Sequence, residues 1–263
     1  MLDGYVHADG DRIHFDVTGT GPAVILLHAG VADSRSYERQ VDALSVRFRV
    51  IRYEHRGFGR SDPPSKPFSI VDDVARVLDH VGEEHAAVVG NSLGGAVAVE
   101  FAVAQPERVS ALVPVAAGLI GYEATAAPHP RLADAERATE RGDYTAAAEI
   151  ELDVWSPLRT NPKTDDLLRR MALENAGAEA LPDDLFLIPD PPAVRRLEEI
   201  SAPTLVVIGD RDVEVMQEIS DLLASRIPGA RKAVVEDADH IVPTRQPDRF
   251  NEILADFLEE TLR

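Results

Sequence analysis

The feature that most restricts this chain is a series of short, nearly unbroken apolar runs separated by stretches with helical spacing. Ala23-Val24-Ile25-Leu26-Leu27, Ala86-Ala87-Val88-Val89, Val109 to Val115 and Thr204-Leu205-Val206-Val207-Ile208 are of strand length. A strand with one wet face alternates apolar and polar residues, as Ile13-His14-Phe15-Asp16-Val17 does. A continuous run suits a strand covered on both faces. Val50-Ile51-Arg52-Tyr53 and Lys232 to Val235 add two shorter strand candidates. Between them, Ile70, Val71, Val74, Val77, Leu78 and Val81 recur at helical spacing, with Gly82 as a stop signal. Leu93 to Ala104, Val215 to Ile227 and Phe250 to Leu262 read as further helices. Strands alternating with helices predict an α/β fold with a mostly parallel twisted sheet covered by helices on both faces.

Residues 119–200 break the pattern. Strand-like runs disappear, and amphipathic pieces at Leu132 to Glu140, Tyr144 to Val154 and Asp165 to Asn175 are punctuated by eight prolines, from Pro128 to Pro192. This region carries 9 basic and 17 acidic residues, a net charge of 9 − 17 = −8. It reads as a helical insertion between two core strands. The alternative is a set of ordinary sheet-covering helices.

The sharpest local motif is Gly90-Asn91-Ser92-Leu93-Gly94. A buried strand ends at Val89 and a helix begins just past Ser92, so the chain must reverse without a loop. Such a turn projects the serine hydroxyl above the carboxyl ends of the strands. The small residues around it let two backbones pass closely. A serine hydroxyl is a weak nucleophile and needs a base. Among eight histidines, His240 follows the last predicted strand and precedes the terminal helix, which places it at the same sheet edge as Ser92. His28 also follows a strand at that edge and is its rival. The base needs an acid to hold its tautomer. Asp212, in Gly209-Asp210-Arg211-Asp212 after another strand, is the first choice, and Asp210 is the alternative. Asp239 adjoins His240, but neighbouring side chains in an extended loop diverge.

Composition narrows the chemistry further. The 263 residues include no cysteine, which excludes disulfides, thiolate metal sites and a cysteine nucleophile. A net charge of −19 disfavours nucleic acid and anionic lipid surfaces as partners. No apolar run approaches the length of about 20 residues that a membrane helix needs. The first residues form neither a basic nor an apolar leader segment. A cytoplasmic protein acting on a small molecule is expected, with no metal and no other cofactor. Nothing in the sequence fixes an oligomeric state.

With these residues in order, the sequence resembles the α/β-hydrolase superfamily over nearly its whole length, in the style of the enol-lactonase and small-carboxylesterase branch. Leu26-Leu27-His28-Ala29-Gly30 looks like the segment after the third strand. Arg52 to Ser61 looks like the segment after the next, with Gly90 to Gly94 as the nucleophile elbow. Two departures stand out: Ala29 replaces the usual glycine, and Glu54 the usual aspartate. The resemblance implies a core of residues 1–118 and 196–263, with a helical cap of residues 119–195 inserted after the sixth strand. It also implies a catalytic triad of Ser92, His240 and Asp212, with an oxyanion hole from the backbone N–H groups of Gly30 and Leu93. Arg56 and Ser61 are expected to brace loops. His28 and Trp155 are candidate substrate contacts, with Trp155 alternatively pinning the cap to the core. The implied reaction is hydrolysis of a carboxylic ester or lactone through an acyl-enzyme. Carbon–carbon bond hydrolysis, perhydrolysis, acyl transfer and non-catalytic ligand binding on the same scaffold stay open as alternatives.

Overall fold

A computed structural model describes residues 2–178 and 180–262. Eight strands form one sheet: β1 (Leu2–Ala8), β2 (Asp11–Thr18), β3 (Ala23–Leu27), β4 (Arg49–Tyr53), β5 (Ala86–Asn91), β6 (Val109–Val115), β7 (Leu205–Gly209) and β8 (Arg231–Val235). Among the described residues, nine α-helices accompany them: α1 (Glu38–Leu44), α2 (Ile70–Val81), α3 (Leu93–Ala104), α4 (Leu132–Glu140), α5 (Tyr144–Trp155), α6 (Pro162–Glu174), α7 (Glu214–Arg226), α8 (Val242–Arg245) and α9 (Pro247–Thr261). Spatial strand order is β1-β2-β4-β3-β5-β6-β7-β8. The β1–β2 and β2–β4 pairings are antiparallel, and the other five are parallel among the described residues.

The unbroken apolar runs are explained by two cores, one on each side of the sheet. Ile25, Leu27, Val88 and Ile208 face a core shared with α2, α3 and α7. Their neighbours Val24, Leu26, Val89 and Val207 face the opposite core, shared with α1 and α9. Each fully buried aliphatic side chain contributes on the order of 1.5–3 kcal/mol, so both periods of the pleat favour the fold. Helix α3 is buried on all sides from Gly94 to Val103, which accounts for its lack of a polar face.

Strand β1 lies outside the predicted set. It pairs with β2 across Asp9-Gly10, where both turn residues have positive φ (59° and 103°). Asp-Gly is the favoured sequence for such a two-residue hairpin.

Between β6 and β7 the chain leaves the sheet and forms α4, α5 and α6, matching the three predicted amphipathic pieces within a few residues. Leu152 of α5 and Leu168, Met171 and Ala172 of α6 pack on Ala29, Val31, Ala32 and Ile241. Among the described residues, no helix is long and apolar enough to cross a membrane.

Candidate active site

The strand order reverses beside β3. The chain runs from β3 to β4 on one side, then returns to β5 on the other. Crevices in open α/β sheets form at such a point, outside the carboxyl ends of the strands. Gly30 follows β3 and Ser92 follows β5, so both stand at this crevice.

Ser92 occupies a strained conformation, φ 55° and ψ −113°, at the junction of β5 and α3. A non-glycine residue held there costs about 1–3 kcal/mol, and the surroundings must enforce it. They do so by close packing. A Cβ on Gly90 would lie 2.0 Å from the Gly94 carbonyl oxygen, and one on Gly94 would lie 2.1 Å from that of Leu27. The Ser92 N–H donates to Val115 O, and its carbonyl accepts from Ala96 and Gly118.

Three side chains from distant parts of the chain converge here. Ser92 Oγ lies 2.7 Å from His240 Nε2, and His240 Nδ1 lies 2.9 Å from Asp212 Oδ2. The side chain of Asp212 is inaccessible to solvent and that of His240 nearly so. With a carboxylate at Nδ1, that nitrogen carries the proton, and Nε2 is left to accept from the serine hydroxyl. Asp212 Oδ1 also accepts from the Val213 N–H at 2.8 Å, which fixes the carboxylate plane. The rival acid is engaged elsewhere: Asp210 Oδ1 accepts from the Ala238 N–H.

The backbone of His240 is held at both ends. Its N–H donates to Trp155 O, and its carbonyl accepts from Asn91 Nδ2 at 3.0 Å. The indole of Trp155 lies 4.6 Å from the imidazole, tilted by 35°. Trp155 therefore meets the site through the histidine. It also packs against the apolar cluster that joins Leu152, Leu168 and Met171 to Ala29 and Ile241.

His28 does not serve as a substrate contact. It is fully buried, accepts from the His55 N–H at Nε2 and donates from Nδ1 to Ala29 O. His55 in turn donates to His28 O and accepts from Tyr53 Oη. Burial pushes the pKa of both imidazoles down, that of His55 strongly. This neutral pair shapes the loop that carries Gly30. Ala29 is accommodated there with a negative φ, so glycine's conformational freedom is not needed.

Arg56 and Ser61 brace loops as expected. The Arg56 guanidinium is buried between Asp73 and Asp11, both at 2.7 Å. Ser61 Oγ donates to Glu54 O and accepts from the His14 N–H. Glu54 accepts from Ser34 Oγ and the Arg60 N–H. A Cβ on Gly59 would lie 2.4 Å from its carboxyl carbon, so the longer acid is matched to that glycine.

Asp239 belongs to a buried cluster that joins α5 to the histidine loop. It accepts from Ser156 Oγ and the Leu158 N–H and lies 3.3 Å from the Arg245 guanidinium. Arg245 also donates to Ser156 Oγ and to Asp165 on α6. Burial raises the Asp239 pKa despite these partners.

Two cavities reach the residues beside these side chains, one at Gly30 and one at Leu93. One, about 130 Å³, is lined by Gly30, Val31 and residues of α5 and α6. The other, about 180 Å³, reaches Leu93 and runs between Phe58, Phe68 and Phe186. Neither lining includes Ser92 or His240; the cavities approach the site at Gly30 and Leu93. Among the described residues, the N–H groups of Gly30 and Leu93 have no acceptor. No group of three or more metal-ligating side chains occurs among the described residues.

This chain belongs to the α/β-hydrolase fold family, whose sequence model matches residues 22–243. A protein of Azorhizobium caulinodans, provisionally named carbamate hydrolase RutD, is 32% identical, covering 97% of this chain and 98% of that one. The 2-hydroxy-6-oxononadienedioate/2-hydroxy-6-oxononatrienedioate hydrolase of Paraburkholderia phymatum is also 32% identical, covering 94% of this chain and 91% of its own length. A thermophilic esterase from Thermogutta terrifontis superposes with a TM-score of 0.83 at 27% identity, over the full length of both chains. These relatives make the chain a hydrolase.

Proposed function

We propose that this hydrolase cleaves small carboxylic esters or lactones through an acyl-enzyme, with Ser92 as nucleophile, His240 as base and acid, and Asp212 as the group that orients His240. The observation that carries this reading is the continuous hydrogen-bonded chain from Asp212 through His240 to Ser92. Ser92 Oγ bonds to the carbonyl carbon as its proton passes to His240 Nε2. The carbonyl oxygen becomes an oxyanion, received by the N–H groups of Gly30 and Leu93. Each such donor is worth about 3 kcal/mol in the transition state. The carbon–oxygen bond to the leaving group then breaks, and His240 returns the proton to the alcohol. Water attacks the acyl-enzyme, gives its proton to His240, and the acid departs as Ser92 regains its hydrogen. No step calls for a metal or other cofactor. Residues 119–195 act as the cap that roofs this site, and the setting is cytoplasmic.

Hydrolysis of a dioate, the substrate type that the Paraburkholderia relative's name prints, suits these cavities less well. Such a substrate carries two carboxylates and calls for unpaired cations in the pocket. Among the described residues lining the two cavities, the only arginine or lysine is Arg56, already held by Asp73 and Asp11. His55, in the second cavity, is kept neutral by burial.

The test combines labelling and turnover. A fluorophosphonate probe should label the folded protein but not Ser92→Ala, and p-nitrophenyl butyrate hydrolysis should fall by at least about 10³-fold in that variant. Retained turnover in Ser92→Ala would refute the nucleophile assignment.

A further inference from the structure

The cavity above Gly30 contains a carboxylate that the fold leaves without a counter-ion. Gly30 and Val31 line it on one side, and α5 contributes Tyr144, Ala147, Ala148 and Glu151. The alanines make the room, and Glu151 supplies the polarity. Glu151 lies one helical turn before Trp155, so both project from the same face of α5. Trp155 in turn stacks on His240. Among the described residues, the Glu151 carboxylate forms no ion pair and accepts no hydrogen bond, and burial alone raises its pKa.

Three arginines of residues 119–195 are committed elsewhere. Arg169 pairs with the exposed Glu149, and Arg131 and Arg159 both pair with Asp153. Asn175, in the same lining, spends its amide on Asp33, Met171 O and the Gly59 N–H. A half-buried carboxylate without a partner is destabilising, and a cation brought by a ligand offsets that cost. The chain's charge of −19 also draws cations toward it and repels anions.

We propose that this cavity is a subsite for a protonated amine, with Glu151 as its counter-ion, so that the preferred substrate is a small ester or lactone bearing an ammonium group on one side of the scissile carbonyl. This rests on the acyl-enzyme reading above and names its substrate class. The adjoining Gly30 N–H receives the carbonyl oxygen, so an ammonium held by Glu151 fixes the substrate relative to the oxyanion site. Binding energy spent there orients the reacting carbon and raises kcat/KM.

The test uses two pairs of esters matched in shape. The first is 2-(dimethylamino)ethyl acetate with 3-methylbutyl acetate. The second is ethyl 4-(dimethylamino)butanoate with ethyl 5-methylhexanoate. The amine stands on the alcohol side in the first pair and on the acyl side in the second. In at least one pair, kcat/KM for the cationic ester should exceed that for its neutral partner by about tenfold, and Glu151→Gln should abolish the preference. The ratio cancels any loss of folded protein. Glu136→Gln, which removes an exposed carboxylate without an ion pair among the described residues from the neighbouring helix α4, should leave the ratio unchanged. An equal fall in Glu136→Gln would assign the effect to overall charge and overturn the subsite. Calorimetric titration of the same esters into Ser92→Ala reads the preference without turnover. If the unaltered protein hydrolyses neither ester of either pair, yet cation binding is present in Ser92→Ala and lost on adding Glu151→Gln, the subsite stands and the nucleophile reading falls. Equal binding of cationic and neutral partners in both pairs overturns the subsite whatever the turnover.

Discussion

The indole of Trp155 covers one face of the His240 imidazole, with ring centroids 4.6 Å apart. In the proposed mechanism His240 takes the Ser92 proton, and the resulting imidazolium faces an aromatic π-cloud. An interaction of this kind is worth about 0.5–2 kcal/mol. Trp155→Leu should therefore lower kcat about 3- to 30-fold with a smaller change in KM, and Trp155→Phe should recover part of the loss. Steady-state kinetics on a neutral ester checks this. A change confined to KM would mean that the indole contacts substrate instead.

Asp212 and Asp210 stand two residues apart and do different work. Asp212 meets His240 Nδ1, while Asp210 accepts a backbone N–H from Ala238. Asp212→Asn should allow the wrong imidazole tautomer and reduce kcat by about 10³–10⁴-fold. Asp210→Asn removes only a loop contact and should cost less than about tenfold. Comparable losses in the two variants would reopen the choice between them.

Arg245 and Asp239 are both fully buried as side chains, 3.3 Å apart. Arg245→Met leaves the Asp239 carboxyl without its cation and should destabilise the fold by about 3–5 kcal/mol. Adding Asp239→Asn should restore much of that loss. Urea unfolding of the single and double variants measures both effects. If the double variant is no more stable than the single, the pair is not coupled as described.

Acid should weaken the fold through His28 and His55. Burial holds their pKa values below the ordinary 6.5, so the unfolded chain binds more protons as pH falls through that value. Their contribution is fully present above pH 6.5 and is lost progressively below it, by up to about 1.4 kcal/mol per pH unit for each imidazole. Carboxyls whose pKa is raised by burial, such as Asp73 and Glu100, act in the opposite sense. They are retained in a His28→Asn, His55→Asn variant, so the difference isolates the histidines. Unfolding free energies at pH 7.5 and 5.5 should diverge less in that variant. Equal divergence would remove the histidines from the account.

What the sequence disclosed follows from which interactions are local. The elbow was legible because Gly90, Ser92 and Gly94 answer a single backbone demand, a strand reversing directly into a helix. Helices α4, α5 and α6 were legible from their amphipathic period. Strand β1 escaped because Leu2 to Ala8 contains a glycine and two weakly apolar positions, although Asp9-Gly10 offered a turn signal. Asn91 gave no signal at all. It sits inside the motif as an unspecified residue, and its bond to the His240 carbonyl spans 149 positions. His28 misled because a histidine at a strand end reads alike whether it faces a ligand or a neighbouring backbone. The Asp239–Arg245 pair was hidden by the alignment of Asp239 with His240 in sequence, which says nothing about where the carboxylate turns.

The bond from the His240 N–H to the Trp155 carbonyl ties the histidine loop to the last residue of α5. Because it joins main chain to main chain, no side-chain replacement at either residue, short of proline at position 240, removes it. Any displacement of that helix end would be felt at the imidazole, so the reach from His240 to Ser92 depends on how residues 119–195 sit on the sheet.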